Sequence, residues 1–301
     1  MAPERDDKTQ ILDVKDLTPD AKKTQAYFIV ISGKRVGSMY KVSKEEMVIG
    51  RVEDADILIE DDGVSRRHAK IERAPNGTVR IVDLDSTNGT FFNGSRIAEH
   101  VLRDGDKVQI GSTTILKFSY QDSLEEQFQR QLFESATKDP LTRINNRKTF
   151  AERFTSEFAY ALRHRRFCSL IIFDIDHFKK INDTYGHQAG DYVLRQLAQL
   201  VSDMIRSEDL FARYGGEEFV ILARDIDEEK AFIFAMRIRR AVEKCEFKFQ
   251  GQQMPVTVSL GVATLSNANF RDHNEMFRKV DEYLYKAKNN GRNRVESALT
   301  H

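Results

Sequence analysis

The rhythm of hydrophobic and polar positions changes three times along this 301-residue chain. Residues 1–24 show no periodicity and are interrupted by Pro3 and Pro19, a pattern that predicts a flexible tail. From Tyr27 to Tyr120 the apolar positions fall into short β-rich runs at 27–32, 47–49, 56–59, 69–72, 79–83, 107–110 and 113–118. Turn pairs such as Asn76-Gly77, Asn88-Gly89, Asn93-Gly94 and Asp104-Gly105 separate them, and short strands at this spacing predict an all-β sandwich over 25–119. Across 120–135 the period becomes helical. Leu124, Phe128 and Leu132 recur every four residues among Glu125, Glu126, Gln127 and Arg130. Such a linker helix suits a connector packed on a neighbouring domain as well as a dimer stalk.

After Asp139-Pro140 helical and strand patterns alternate through 136–301. Helices are predicted at 146–164, 191–205, 228–245 and 274–289, and strands at 168–174, 210–214, 218–223 and 256–264. This α/β (α+β) alternation, with one tight hairpin around Gly215-Gly216, predicts a ferredoxin-like β-α-β-β-α-β core and hence a multidomain chain.

Charge sharpens the picture. The 47 Lys and Arg residues balance the 47 Asp and Glu residues, which argues against a DNA or RNA binder. Only 136–301 leans basic, with 27 basic against 23 acidic side chains, a bias that suits a phosphate-rich ligand. No apolar run approaches the roughly 18 residues needed for a membrane span, so no membrane insertion is expected. The polar start reads as no signal peptide, and the two cysteines, Cys168 and Cys245, cannot form a disulfide framework. These features predict a cytoplasmic location.

Four clusters punctuate the β-rich region: Gly50-Arg51, Ser65-Arg66-Arg67-His68, Thr87-Asn88-Gly89-Thr90 and Asn93-Gly94. Their order and spacing resemble the forkhead-associated (FHA) domain, a phosphothreonine reader. The resemblance implies that Arg51 and Ser65 contact the phosphate with Arg66 in support. It further implies that Thr87 lines the pocket, Asn88 grips the peptide main chain, and His68 is a buried organiser. A guanidinium fork, a hydroxyl and backbone amides are the groups that a doubly charged phosphate calls for. A phosphothreonine peptide is therefore an expected partner, either the chain's own tail or another phosphoprotein. In the tail, Thr9 follows acidic residues and has Leu12 at the third position after it, so Thr9 is the candidate phosphosite for a Ser/Thr kinase. Thr18 and Thr24 are weaker candidates.

In the last region, Arg213-Tyr214-Gly215-Gly216-Glu217-Glu218-Phe219 places acidic residues at a hairpin tip where Gly-Gly admits close approach of a ligand. Phe173-Asp174-Ile175-Asp176-His177-Phe178-Lys179-Lys180 closes an apolar strand. With Asp139-Pro140-Leu141-Thr142 and Lys288-Asn289-Asn290-Gly291-Arg292-Asn293, these stretches resemble a GGDEF diguanylate cyclase, of the nucleotidyl-cyclase type. Arg143, where a glycine is usual, is a departure at the entry motif. The resemblance implies condensation of two GTP into cyclic di-GMP. Asp174, Glu217 and the Ile175 carbonyl would hold two Mg²⁺ per site, with Mn²⁺ as an alternative. Glu217 would also accept the proton of the 3′-hydroxyl, while Lys179 stabilises the transition state. Lys288 and Arg292 would contact the triphosphate, with Asn182, His187 and Asp191 contacting the rest of the substrate. A carboxylate such as Asp191 suits guanine, whose N1–H and N2–H are adjacent donors; adenine lacks that pair.

One such domain holds one GTP, so catalysis implies a homodimer. Arg206-Ser207-Glu208-Asp209 stands nine residues before Gly215. The resemblance assigns Arg206 and Asp209 to an inhibitory cyclic di-GMP site; Arg237, on the following helix, is a candidate secondary contact that no motif supports. The rival readings are a non-catalytic phosphopeptide scaffold that senses cyclic di-GMP, and a GTP hydrolase, which lacks a P-loop here.

Overall fold

The computed structural model describes residues 24–52, 54–267 and 269–300, so Thr9 and Thr18 lie outside the described residues. The chain divides after Phe133 into two compact units.

The first unit is a sandwich. Its strands are β1 (Gln25–Ser32), β2 (Met39–Lys41), β3 (Glu46–Gly50), β4 (Ile57–Leu58), β5 (Ala69–Arg73) and β6 (Val79–Asp83). They continue with β7 (Thr90–Phe92), β8 (Ser95–Ile97), β9 (Glu99–Val101), β10 (Lys107–Ile110) and β11 (Thr114–Gln121). One sheet runs β2-β1-β11-β10-β7-β8 and the other β4-β3-β5-β6-β9. Inward residues of both, including Phe28, Phe118, Ile49, Ile71 and Ile81, form a single apolar core. The predicted sandwich is thus present. Strands β2, β7, β8 and β9 were not predicted, because they are three residues long and mostly exposed or half-buried, which leaves no alternating signal.

Helix α1 (Ser123–Thr137) begins and ends slightly later than the predicted linker helix, because β11 extends to Gln121. Its apolar stripe is not the face it packs. Leu124, Phe128 and Leu132 are 68%, 58% and 50% exposed. Contact with the β1–β2 region comes instead through Glu126, which accepts a 2.6 Å hydrogen bond from the Tyr27 hydroxyl, and through the Phe133 ring beside Gly37. Burial, reinforced by Glu126, pushes the Tyr27 hydroxyl up to about 12.

The second unit contains α2 (Arg147–His164), β12 (Cys168–Ile175), α3 (Phe178–Tyr185), α4 (His187–Ser202), β13 (Leu210–Arg213), β14 (Glu218–Arg224) and α5 (Glu228–Lys244). The hairpin β15 (Phe247–Phe249) and β16 (Gln252–Met254) follows, then β17 (Val258–Leu265), α6 (His273–Asn289) and β18 (Val295–Glu296). The sheet order β13-β14-β12-β17-β18 is ferredoxin-like, with β18 added in parallel at the edge. Helix starts follow side-chain caps: Asn146, Asp227 and Asp272 each accept from a backbone N–H of the first turn.

Central strand β12 is buried at every position, and its side chains alternate between two cores. Ile171, Phe173 and Ile175 face the core built with α3, α4 and α5; Cys168, Leu170 and Ile172 face the core built with α2 and α6. Phe173 stacks in a three-ring cluster with Phe211 and Phe219, which also stack on each other, and its replacement by Ala would cost about 3–5 kcal/mol. This packing fixes the end of β12, where the acidic residues stand. Helix α3 was not predicted, and α4 starts four residues before the predicted 191. The cause is Gly186, whose positive φ of 86° ends one helix and opens the next.

Candidate active site

Antiparallel pairing sets Asp174 opposite Glu218 on β14 and opposite Ser259 on β17. The Ile175 N–H donates to the Glu217 carbonyl at 3.3 Å, so the β12 terminus and the hairpin tip are held side by side. The tip is clamped from behind. Arg213 donates to the carbonyls of Gly215 and Gly216, and also to Asp139 at 3.2 Å. Burial opposes the charge of Asp139, but hydrogen bonds from Thr142 and the Arg213 ion pair outweigh it and hold the carboxyl below its ordinary range. The Asp139 and Arg213 motifs were visible in the sequence, yet their pairing across the fold was not.

Asp174 is 7% exposed. Its carboxylate receives the Lys288 ammonium at 2.9 Å from the last turn of α6. Burial raises its pKa to about 6 against the opposing pull of Lys288, with Glu217 and Glu218 adding to the rise. Asp176, two residues on, is equally buried but engaged differently: it accepts from Ser259 Oγ at 2.6 Å, Thr257 Oγ1 at 2.7 Å and the Asn293 N–H at 3.0 Å.

Among the described residues no group of three or more His, Cys, Asp or Glu side chains converges on one point. The site nonetheless fits a hard divalent cation. Asp174, Glu217 and the Ile175 carbonyl are oxygen donors, and the Lys288 ammonium already stands against Asp174 as a cation. Mg²⁺ is commonly bound by one or two carboxylates, with substrate phosphate and water completing its shell.

Asn182 on α3 is half-buried, and its Oδ1 lies where a Cβ on residue 190 would fall, so Gly190 is required for this approach. That contact brings Asn182 beside the first turns of α4, where Asp191 is exposed. Lys179, His187 and Arg292 are exposed as well; Arg292 follows α6 with a φ of +63°.

Arg206 and Asp209 lie in the loop between α4 and β13. Asp209 accepts from the backbone N–H groups of Arg206 and Arg224, and burial raises its carboxyl pKa despite them. Both residues line a 230 Å³ cavity together with Arg237 and Phe234, so Arg237 does share that wall.

In the first unit Arg51 is exposed directly after β3, and its N–H donates to the Ser65 carbonyl. A Cβ on Gly50 would strike the Arg66 carbonyl, so glycine permits this close approach. Ser65 Oγ accepts from the Thr87 N–H at 3.1 Å, and an Asn88 side-chain N–H donates to the Gly63 carbonyl at 2.8 Å. Fully buried His68 accepts from the Ser65 N–H at Nδ1, which leaves Nε2–H to donate to the Gly89 carbonyl. Burial lowers the His68 pKa, consistent with a neutral ring. Arg51, Ser65, Thr87 and Asn88 therefore stand on one set of braced loops, with the Arg66 side chain exposed beside them.

The family model "Diguanylate cyclase, GGDEF domain" matches residues 136–294, and the FHA domain model matches residues 47–111. A probable diguanylate cyclase, DgcT of Escherichia coli K12, is 44% identical over 162 residues, covering 53% of this chain and 35% of DgcT. The chain thus spans about a third of the length of the curated relatives first matched. Among solved structures, the coiled coil and GGDEF domain of DgcB from Caulobacter crescentus in complex with c-di-GMP superposes with a TM-score of 0.54. It is 32% identical and covers 58% of this chain and 92% of that one. Diguanylate cyclase SiaD of Pseudomonas aeruginosa, in complex with its activator SiaC, gives a TM-score of 0.52 at 31% identity, covering 58% of this chain and 66% of that one. Among the described residues no helix is long and apolar enough to cross a membrane.

Proposed function

This chain belongs to the GGDEF diguanylate cyclase family and carries an FHA domain, and from that premise we propose that it condenses two GTP into cyclic di-GMP and two pyrophosphates under phosphothreonine control. The observation that carries the reading is the buried Asp174 corner, with Glu217 beside it and the Lys288 ammonium against it. Two divalent cations bound by Asp174, Glu217 and the Ile175 carbonyl, Mg²⁺ with Mn²⁺ as an alternative, would supply nucleophile activation and charge neutralisation. Glu217 accepts the proton of the 3′-hydroxyl. Lys179 stabilises charge at the transferring phosphoryl group, and Lys288 and Arg292 hold the triphosphate. Asp191 and Asn182 bind guanine, with His187 as a further substrate contact. Two copies of the chain meet across a two-fold axis so that each 3′-hydroxyl faces the partner's α-phosphate.

Cyclic di-GMP binds back at Arg206 and Asp209, where Arg237 supplies a second guanidinium. The phosphothreonine is read by Arg51, Ser65 and Arg66, with Thr87 lining the pocket. Asn88 keeps a second side-chain N–H and its carbonyl for the peptide backbone. Thr9 of the chain's own tail, phosphorylated by a Ser/Thr kinase, is the proposed ligand, and a separate phosphoprotein is the alternative source. We place the activity in the cytoplasm.

The deciding experiment incubates the purified chain with GTP and Mg²⁺, with and without kinase treatment, and resolves the nucleotides. Cyclic di-GMP and pyrophosphate are expected. GDP with phosphate would indicate a hydrolase, and unchanged GTP in both forms would overturn the cyclase reading.

A further inference from the structure

Asp174 and Asp176 are two buried carboxylates on one strand end, and their partners divide them. Asp174 faces an ammonium. Asp176 is committed to the neighbouring backbone and to the turn after α6: besides the three hydrogen bonds above, its N–H donates to the Thr257 carbonyl at 2.9 Å. A carboxylate this deep is stable only when its oxygens are satisfied, and here two hydroxyls and one amide do so.

That amide belongs to Asn293, where the chain is strained. Arg292 and Asn293 are consecutive non-glycine residues at φ +63° and +47°. Left-handed positions of this kind cost on the order of 1 kcal/mol each and persist only where surroundings enforce them. Three anchors enforce this turn. Asp176 holds the Asn293 N–H; Arg239 on α5 donates to Asn293 Oδ1 at 2.9 Å; and Asn293 Nδ2 donates to Glu243 at 2.7 Å. The Arg292 N–H also donates back to the Ala287 carbonyl at the end of α6. The outcome is an exposed Arg292 displayed from a rigid turn one residue from the anchor.

We propose that Asp176 is a positioning residue that presents Arg292 to the substrate's triphosphate, with Asn293 as the hinge it holds. The proposal rests on the cyclase reading, which places Arg292 at the triphosphate. Asp176 touches no reacting atom. It fixes a turn whose relaxed form would turn Arg292 away, so its loss acts on phosphate recognition and leaves guanine recognition intact.

The test is competition binding on the full-length chain, using GTP with a methylene α–β bridge and, separately, GMP, each with Mg²⁺. Asp176→Ala, which removes both oxygens where an amide would keep one to accept from the Asn293 N–H, should weaken the triphosphate analogue about tenfold while GMP stays within twofold, and KM for GTP should rise more than kcat falls. If Asp176 acts through Arg292, the double variant D176A/R292A should bind the analogue no more weakly than Arg292→Ala alone. Asn293→Gly tolerates the positive φ and keeps the N–H to Asp176 and the carbonyl that accepts from Arg239, but deletes the side-chain ties to α5; it should shift the same ratio by a few-fold and serves if Asp176→Ala does not fold. Equal weakening of both nucleotides, or additive losses in the double variant, would overturn the inference while leaving the cyclase reading standing. A wild-type chain with no preference for the triphosphate analogue over GMP overturns that reading and this inference with it.

Discussion

Arg51 and Asp174 occupy similar places, each where a strand gives way to a loop that the family resemblance assigns to phosphate chemistry, yet they are built in opposite ways. Arg51 is exposed, and the rigidity around it comes from uncharged groups behind it: His68 at 0% exposure links the backbone of Ser65 to that of Gly89. Asp174 is itself inside the structure at 7% exposure, facing Lys288. Burial accordingly acts with opposite sign, lowering the pKa of His68 and raising that of Asp174. In the first unit the desolvated residue is a neutral brace and the residue proposed to meet the ligand stays wet. In the second the desolvated residue is the proposed functional group. A brace of the first kind supports the fold, whereas a buried charge of the second kind is carried at a cost to it.

The contrast is tested most strongly at the proposed functional groups. Glu217→Gln keeps the shape of the hairpin tip and removes the proposed proton acceptor and cation ligand; cyclic di-GMP formation should fall by about 10³-fold or more. Retention of a tenth of the rate would remove Glu217 from the chemistry. Arg51→Ala removes the proposed charge-assisted contact from an exposed site. A phosphothreonine peptide spanning residues 4–14 should then bind about 10²-fold more weakly by calorimetry, in line with roughly 2–3 kcal/mol for such a contact. An affinity within threefold of wild type would break the parallel between the two sites.

Behind Arg51 the expected effect falls on stability. His68→Ala leaves the Ser65 N–H without its partner, leaves the Gly89 carbonyl with the Gly111 N–H alone, and opens space in the core, a loss of about 2–3 kcal/mol near pH 7.5. The sign with pH follows from the lowered pKa. A histidine held neutral by folding adds stability above its ordinary value of 6.5, and that contribution fades as pH falls and the unfolded chain takes up the proton first. Native-state hydrogen exchange of the β5 and β6 amides should therefore show a wide gap between wild type and variant at pH 7.5 and a narrower one at pH 5.5.

How much of this was legible in the sequence depended on how local the cause was. Strand β12 announced itself because both its faces are buried, which yields an unbroken apolar run, and α2 because Asn146 caps it within one turn. Short edges such as β8 and β9 carry no such run. The apolar stripe of α1 is not the face that packs within the chain, since Tyr27 and Gly37 meet Glu126 and Phe133 and leave Leu124, Phe128 and Leu132 exposed. At the site, residue types and order brought out Asp174, Glu217 and Lys288 through a resemblance, but nothing local distinguishes Asp174 from Asp176. Their difference is made by β17, whose Ser259 hydroxyl, with that of Thr257 just before the strand, goes to one carboxylate and not the other, and by a turn far along the chain that returns Asn293 to the same carboxylate. The Arg213–Asp139 clamp is hidden for the same reason, each partner being ordinary alone.

The smallest expected effect is also the one that separates the two designs most sharply. If Asp174 is carried for function, replacing it by its uncharged isostere should stabilise the metal-free protein. Its pKa is raised from 3.8 to about 6, so the folded state binds the proton more tightly than the unfolded chain does. The stability linked to that proton is fully present below 3.8 and lost as pH rises through about 6. At pH 8 the wild-type carboxylate is ionised and desolvated. Asp174→Asn removes that charge, and a shift of this size caps the gain at about 3 kcal/mol, with relaxation around Lys288 bringing the expectation to about 1 kcal/mol. At pH 5 the wild-type group is already largely protonated and the variant should gain little. The β12 and β17 amides, followed by hydrogen exchange in the presence of a chelator, should therefore become more protected in the variant at pH 8 and converge with wild type at pH 5. Diminished protection at pH 8 would put Asp174 with His68 as a support of the fold, and the contrast between the two units would fail at the residue on which it most depends.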